Sequence, residues 1–145
     1  MKTYTYQAKL EPGDDPAVTV VTFPDVPEAI TEGDGDAHAL EQASEALGLA
    51  LLMYLQLSRP LPKAVAKGVA VSVAPDVAAK IAVIEAFRAS GLTRREFARR
   101  IEKDEREAGR ILDPMHATKL RPLSRALQAL GQRLVVGVEE IERAA

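Results

Sequence analysis

The hydrophobic pattern changes period along the chain. From Thr3 to Leu10, the residues Tyr4, Tyr6, Ala8 and Leu10 alternate with Thr3, Thr5, Gln7 and Lys9. A period of two puts one set on a buried face and the other in water, which predicts a half-buried strand. Glu11-Pro12-Gly13-Asp14-Asp15-Pro16 is dense in turn formers. A second strand is expected over Ala17 to Phe23, where Val18, Val20, Val21 and Thr22 are β-branched, and Pro24 ends it. The two should pair as a hairpin with a long loop. A short third strand fits Ala29 to Glu32, after which Gly33-Asp34-Gly35-Asp36 breaks the chain.

The period then turns helical. Leu40, Ala43, Leu47, Ala50 or Leu51, and Tyr54 recur at helical spacing, which predicts a helix over Ala37 to Leu57 with Asp36 as its N-cap. Its C-terminal half is apolar nearly all round and is expected to be deeply buried. Arg59-Pro60-Leu61-Pro62 stops it, and Val69 to Val73 reads as another strand. Past Pro75-Asp76 the pattern changes character and is helical as far as about Leu130. Val77, Ile81, Ile84 and Phe87 share one face of a helix closed by Gly91. Thr93-Arg94-Arg95-Glu96 fits a capping box that opens a helix to about Ile101. Asp104-Glu105-Arg106-Glu107 repeats that spacing and opens a helix ending at Leu112, before Asp113-Pro114. A further helix lies between Thr118 and Leu130, with Leu123, Leu127 and Leu130 inward, and Arg133 to Val138 reads as a short strand.

Composition narrows the function. Apolar residues make up 47% of the 145, which supports a real core. Aromatics are only 4%, with no Trp, so a stacking platform for single-stranded nucleic acid is not expected. The absence of Cys removes disulfides, zinc ribbons and thiol nucleophiles together. No signal-peptide run opens the chain, and the Leu47 to Leu55 stretch is about half of a membrane span, so a soluble, cytoplasmic protein with no membrane partner is expected.

The net charge of −2 hides an asymmetry. Residues 1–75 hold 5 Lys and Arg against 10 Asp and Glu, whereas residues 76–145 hold 14 against 11. An acidic half joined to a basic half points to two modules with different partners, with a boundary near Pro75. The two short helices capped at Thr93 and Asp104 have the proportions of a helix-turn-helix. In that arrangement the first helix crosses the duplex backbone and the second enters the major groove. Arg94, Arg95, Lys103 and Lys119 are then the candidates for phosphates, and Glu105, Arg106, Glu107 and Arg110 for base or groove contacts. Asp25, Glu28, Glu32, Asp34 and Asp36 are the acidic candidates for the first module's own partner.

Phe23-Pro24-Asp25-Val26-Pro27, then Thr31-Glu32-Gly33-Asp34, then the Ala-rich helix with Ala39-Leu40 and Ala46-Leu47, resembles the HicB antitoxins. Phe97-Ala98-Arg99-Arg100-Ile101, Arg110-Ile111-Leu112-Asp113-Pro114-Met115-His116-Ala117-Thr118-Lys119-Leu120 and Arg125-Ala126-Leu127-Gln128-Ala129-Leu130-Gly131 are similar to the helix-turn-helix form of that family. The resemblance implies an α+β protein. Residues 1–75 would form a partial ribonuclease-H-like β-β-β-α-β domain. Residues 76–145 would form an all-α helix-turn-helix domain with a short C-terminal strand. It further implies that the first domain binds and neutralises a HicA toxin, a ribonuclease. The second would dimerise, bind operator double-stranded DNA and repress its own operon, with pairing into tetramers left open. The sequence departs from the family pattern at Glu102-Lys103, where members carry Gly, and in the acidic Glu105 and Glu107 of the groove-facing helix.

Other chemistry finds little footing. Glu32, Asp34 and Asp36 read as an acidic turn and helix cap, because a calcium loop needs more ligands at wider spacing. His38 and His116 fall in different modules. His38 is expected to be exposed in the first helical turn, and His116 to follow a helix end, where it touches DNA or caps the turn. No Ser-His-Asp or phosphate-loop spacing occurs. Neither a catalytic residue, a metal nor a cofactor is expected. A second reading of the same residues is a stand-alone transcription regulator whose first half senses a ligand; a third is a residual nuclease.

Overall fold

The first 34 residues build three strands, β1 (Thr5–Pro12), β2 (Val18–Thr22) and β3 (Ile30–Asp34). They are followed by α1 (Asp36–Gln56) and β4 (Val69–Ser72), and then by α2 (Pro75–Ser90), α3 (Arg94–Arg100), α4 (Glu105–Ile111) and α5 (Leu120–Ala129). The structure is a computed structural model and describes residues 1–141; the last four residues of the expected second module, 142–145, lie outside the described residues. The chain is thus α+β. Its four strands run in the order β3-β2-β1-β4, and every neighbouring pair is antiparallel.

Alternation along β1 buries Tyr4, Tyr6 and Ala8, and the register places Tyr6 opposite Val71 and Leu10 opposite Val21. This apolar face is covered by α1 through Ala39, Ala43, Leu47, Leu51 and Tyr54. Burying each Leu is worth about 1.5–3 kcal/mol before the entropy of ordering it.

Three local expectations are corrected here. The strand β3 runs on through Gly33 and Asp34, which pair with Thr19 and Val18. Gly33 fits because the α1 backbone lies directly on it: a Cβ there would stand 2.5 Å from the Ala39 nitrogen. The N-cap of α1 is Gly35, at φ 85°, with no side-chain capping bond. Asp36 is already helical, and its carboxylate instead accepts from the Thr19 hydroxyl at 2.7 Å. Finally, the C-terminal half of α1 is buried on one side only. Leu49, Met53 and Leu57 are exposed, because the sheet lies on the opposite side of the helix.

Two hydrophobic clusters form, and α2 belongs to both. Ile81 and Ile84 join the sheet and α1, with Val77 packed at the margin. Ala79, Val83 and Ala86 join Phe97, Ala98, Ala108, Ile111, Leu123, Ala126 and Leu127. Phe87, half-buried, packs its ring 5.3 Å from that of Phe97. The Tyr4 hydroxyl donates to Glu85 at 2.6 Å and Lys2 pairs with the same carboxylate, so the start of the chain is also tied to α2. Burial, and then Glu85, raise the Tyr4 pKa and keep its hydroxyl a donor.

Helix boundaries in the second half follow their capping residues. Gly91 is left-handed at the end of α2. The Thr93–Glu96 capping box is complete. Asp104 caps α4 by accepting from the Glu107 nitrogen at 2.8 Å, while the Glu107 carboxylate turns to Arg110 rather than back to the cap. Past α5, the expected strand over Arg133 to Val138 is not formed. Leu134 alone is half-buried against the helical cluster, and Val135, Val136 and Val138 are exposed and pair with no described strand.

Glu102 closes α3 in the left-handed region, at φ 57°, with the Lys103 nitrogen bonded to the Ala98 carbonyl and the Glu102 nitrogen to that of Arg99. This is the hydrogen-bond pattern that usually takes Gly. Replacing Glu102 with Gly removes the Cβ strain but loosens the unfolded chain, so Glu102→Gly is expected to stabilise the protein by about 0.5–1 kcal/mol. Thermal or urea unfolding measures it, and an unchanged or lowered midpoint contradicts the assignment.

Candidate functional site

The α3–α4 pair carries most of the sequence-predicted cations. Phe97 and Ala98 anchor α3 and Ala108 and Ile111 anchor α4, which turns the intervening charged positions outward. Arg94, Arg95, Lys103, Glu105, Arg106, Arg110 and Lys119 are all exposed, and Glu107 is half-buried. Among the described residues, Arg94, Arg95, Lys103, Arg106 and Lys119 have no ion-pair partner, whereas Arg110 is paired with Glu107 at 3.0 Å. Arg94 reaches across the pair: a Cβ at Gly109 would stand 3.3 Å from its Nη1. Gly109, which costs a helix about 1 kcal/mol relative to Ala, therefore gives Arg94 room to lie against α4. Capping brings Arg94 and Arg95 to the start of α3, and Glu105 and Arg106 to the start of α4.

The acidic residues of the first half do not form one group. The Asp25 carboxylate accepts from the Val65 and Ala66 nitrogens, at 2.9 and 2.8 Å, and so pins the irregular segment between α1 and β4. Glu28 accepts from the Tyr54 hydroxyl at 2.7 Å and faces Arg59 at 3.8 Å, while the Arg59 guanidinium lies 4.5 Å from the centre of the Tyr54 ring. The Tyr54 hydroxyl bond holds the Glu28 carboxyl below the usual carboxylate range. Asp36 is taken by Thr19. Glu32 and Asp34 are exposed, as expected of a solvated face.

The histidines are both exposed. His38 Nδ1 accepts from the Asp34 nitrogen at 2.9 Å, which closes the β3–α1 turn. His116 lies in the α4–α5 loop and lines a groove of about 180 Å³ with Leu49, Leu52, Val77, Lys80 and Met115. Among the described residues no three His, Asp or Glu side chains gather to hold a metal ion, and no helix is long and apolar enough to cross a membrane.

Sequence reasoning missed Lys80. It is 3% exposed, and its ammonium donates to the carbonyls of Arg110 and Ile111 and to the Thr118 hydroxyl. The available signal was its place between Ala79 and Ile81 in an apolar stretch, where a lysine needs buried acceptors.

No protein-family model matches the chain. Curated proteins do. The sequence is 36% identical over 140 residues to Antitoxin HicB 1 of Photorhabdus laumondii subsp. laumondii, covering 96% of this chain and 90% of that one. It is 36% identical over 118 residues to Antitoxin HicB of Escherichia coli strain K12, covering 79% and 86%. Antitoxin HicB of Pseudomonas fluorescens strain Pf0-1 is 30% identical over 138 residues, covering 92% and 94%. The chain belongs to the HicB antitoxin family.

The role of Asp25 is open to a direct check. Two hydrogen bonds to one carboxylate are worth about 1.5–3 kcal/mol each, so Asp25→Ala should release the segment before β4. Tryptic cleavage after Lys63 and Lys67 is then expected to quicken by about ten-fold or more with the rest of the chain intact. Unchanged cleavage would show that the segment is held by something else.

Proposed function

We propose that this chain is the non-enzymatic antitoxin of a toxin–antitoxin pair, that its first 75 residues neutralise a HicA-like mRNA-cleaving toxin, and that residues 76–145 bind operator DNA and repress the chain's own operon. The observation that carries this reading is the alignment with curated HicB antitoxins along nearly the whole length of both partners. In this reading the sheet and α1 are the partial ribonuclease-H-like domain of the family, and α3 and α4 are the helix-turn-helix.

The charge distribution supports the division. A protein that grips RNA presents cations, and an inhibitor with 10 carboxylates against 5 cations in residues 1–75 is its complement. Glu32 and Asp34 are the best-exposed of the acidic candidates without side-chain partners, whereas Asp25, Glu28 and Asp36 are already engaged within the chain. On the other side, Arg94 and Arg95 at the start of α3, Lys103 past its end and Lys119 at the start of α5 suit phosphates, and Arg106 at the start of α4 suits a base edge. Glu105 and Glu107 suit cytosine amino groups, and Arg110, held by Glu107, suits the groove wall. Repressors of this type read paired half-sites as dimers. The exposed Val135, Val136 and Val138 supply an apolar contact for a second copy.

The neutralisation half is tested by co-expressing the chain with the product of the adjacent small gene. Stable co-purification and restored growth support it, and a toxic product that ignores the chain refutes it. The DNA half is tested by gel shift over a salt series. Arg106→Ala is expected to cost about 1–3 kcal/mol and relax sequence preference. Arg94→Ala should weaken all sequences alike and lower the salt slope by about one. Neither should alter growth rescue. Normal operator binding by Arg106→Ala would mean that α4 does not face the bases.

A further inference from the structure

Lys80 is one of the two buried polar side chains among the described residues, with Thr19. It sits on α2, yet every acceptor it uses belongs to the segment that ends α4 and leads into α5. The distances are 3.0 Å to the Arg110 carbonyl, 2.8 Å to the Ile111 carbonyl and 2.6 Å to the Thr118 hydroxyl. The last carbonyls of a helix carry partial negative charge, which a buried ammonium at that end answers; that of Arg110 also accepts from the Asp113 nitrogen. The Asp104 carboxylate fixes the other end of the same short helix. That cap acts within α4, so the Lys80 bonds are the polar tie from α2 that limits how α4 tilts on Ala108 and Ile111, its only buried side chains.

We propose that Lys80 is a positioning residue for DNA binding: its ammonium fixes the end of α4 and the entry to α5, and so sets the angle at which Arg106 and Arg110 meet a duplex. The inference rests on the reading of α4 as the groove-facing helix. The ammonium matches the site in donor count and in charge. Three oxygens accept, and an ammonium has three N–H groups. A neutral amine has two and a lone pair that can accept from the Thr118 hydroxyl, so on losing its proton it keeps three contacts but loses the charge that draws the two helix-end carbonyls to it.

That loss falls in an accessible range. Burial pushes Lys80 down to about 8, against the opposing pull of Asp113 and Glu107. The charged or titratable groups around it are Asp76 one turn back on α2, Glu107 on α4, and Asp113 and His116 in the α4–α5 loop, while α1 contributes only Leu49 and Leu52 to the same groove. The sign follows for stability as well as for binding. The pKa is lowered in the fold, so the unfolded chain holds more protons between about pH 8 and 10.5, and the cost of burying the charge is relieved as pH rises. Operator affinity is expected to move the opposite way, because the charge that holds the end of α4 is lost.

The experiment uses the full chain and a labelled duplex of the DNA immediately upstream of its own gene, with affinity read by fluorescence anisotropy from pH 7 to 9.5. Wild-type affinity is expected to fall by about three- to ten-fold, with a midpoint near pH 8. Lys80→Met should bind about ten-fold more weakly at pH 7 and show no step. Thr118→Val, which removes one acceptor, should move the midpoint to lower pH. A Lys80→Met protein with wild-type affinity and a wild-type pH profile overturns the proposal. Should Lys80→Met fail to fold, the other two arms decide: a flat wild-type profile, or an unmoved midpoint in Thr118→Val, overturns it equally. Should the wild type not bind the duplex at any pH, the DNA-binding reading falls, and positioning is judged by amide exchange. About ten-fold faster exchange over Glu105 to Leu112 in Thr118→Val, with α3 unchanged, supports the clamp, and equal exchange overturns it.

Discussion

The structure turns on one helix with two buried sides. Facing the sheet, α2 presents Ile81 and Ile84, which complete the core built by β1, β4 and α1. Facing the other way it presents Ala79, Val83 and Ala86, whose small side chains let α3, α4 and α5 close on it. Without α2, neither cluster is sealed. The Tyr4 and Lys2 contacts with Glu85 add a polar tie on the first side, and the Lys80 bonds add one on the second. A short chain with few aromatics thereby ties its sheet-containing half to its helical half through one element.

That double role explains what sequence could and could not convey. The spacing of Val77, Ile81, Ile84 and Phe87 announces an amphipathic helix with one apolar face. The alanines opposite are weakly hydrophobic and look like filler, so the second face is not visible until α5 is seen against it. Local chemistry was legible throughout. The alternation of Tyr4, Tyr6 and Ala8, the Thr93–Glu96 box, the Asp104 cap and the Gly91 stop each act within a few residues, and each appears where the pattern put it. Misreadings occurred where a distant backbone decides. Gly33 looked like a chain break but is the place where α1 lies on β3, and Asp36 looked like a cap but serves Thr19 across the sheet. Arg133 to Val138 has strand composition, yet it forms no ladder with any described strand, and β propensity alone makes none.

The candidate sites divide the same way. Exposed cations on two short capped helices could be read from the chain, because capping fixes which positions face outward. The acidic face could be counted but not sorted. Asp25 is spent on the Val65 and Ala66 amides and Glu28 on Tyr54, both contacts between segments far apart in sequence. Charge type is a local property, whereas availability is a tertiary one. Lys80 is the extreme case, a cation hidden among apolar neighbours whose acceptors all lie on other elements.

The central claim is that protein recognition and DNA recognition occupy opposite sides of α2. Hydrogen exchange on the full chain tests it most directly, measured once with the co-purified product of the adjacent gene and once with the upstream duplex. The account predicts that the protein partner slows exchange in segments before Pro75 and leaves α3 and the start of α4 as they were, while the duplex does the reverse. Slowing of the same segments by both ligands would contradict it.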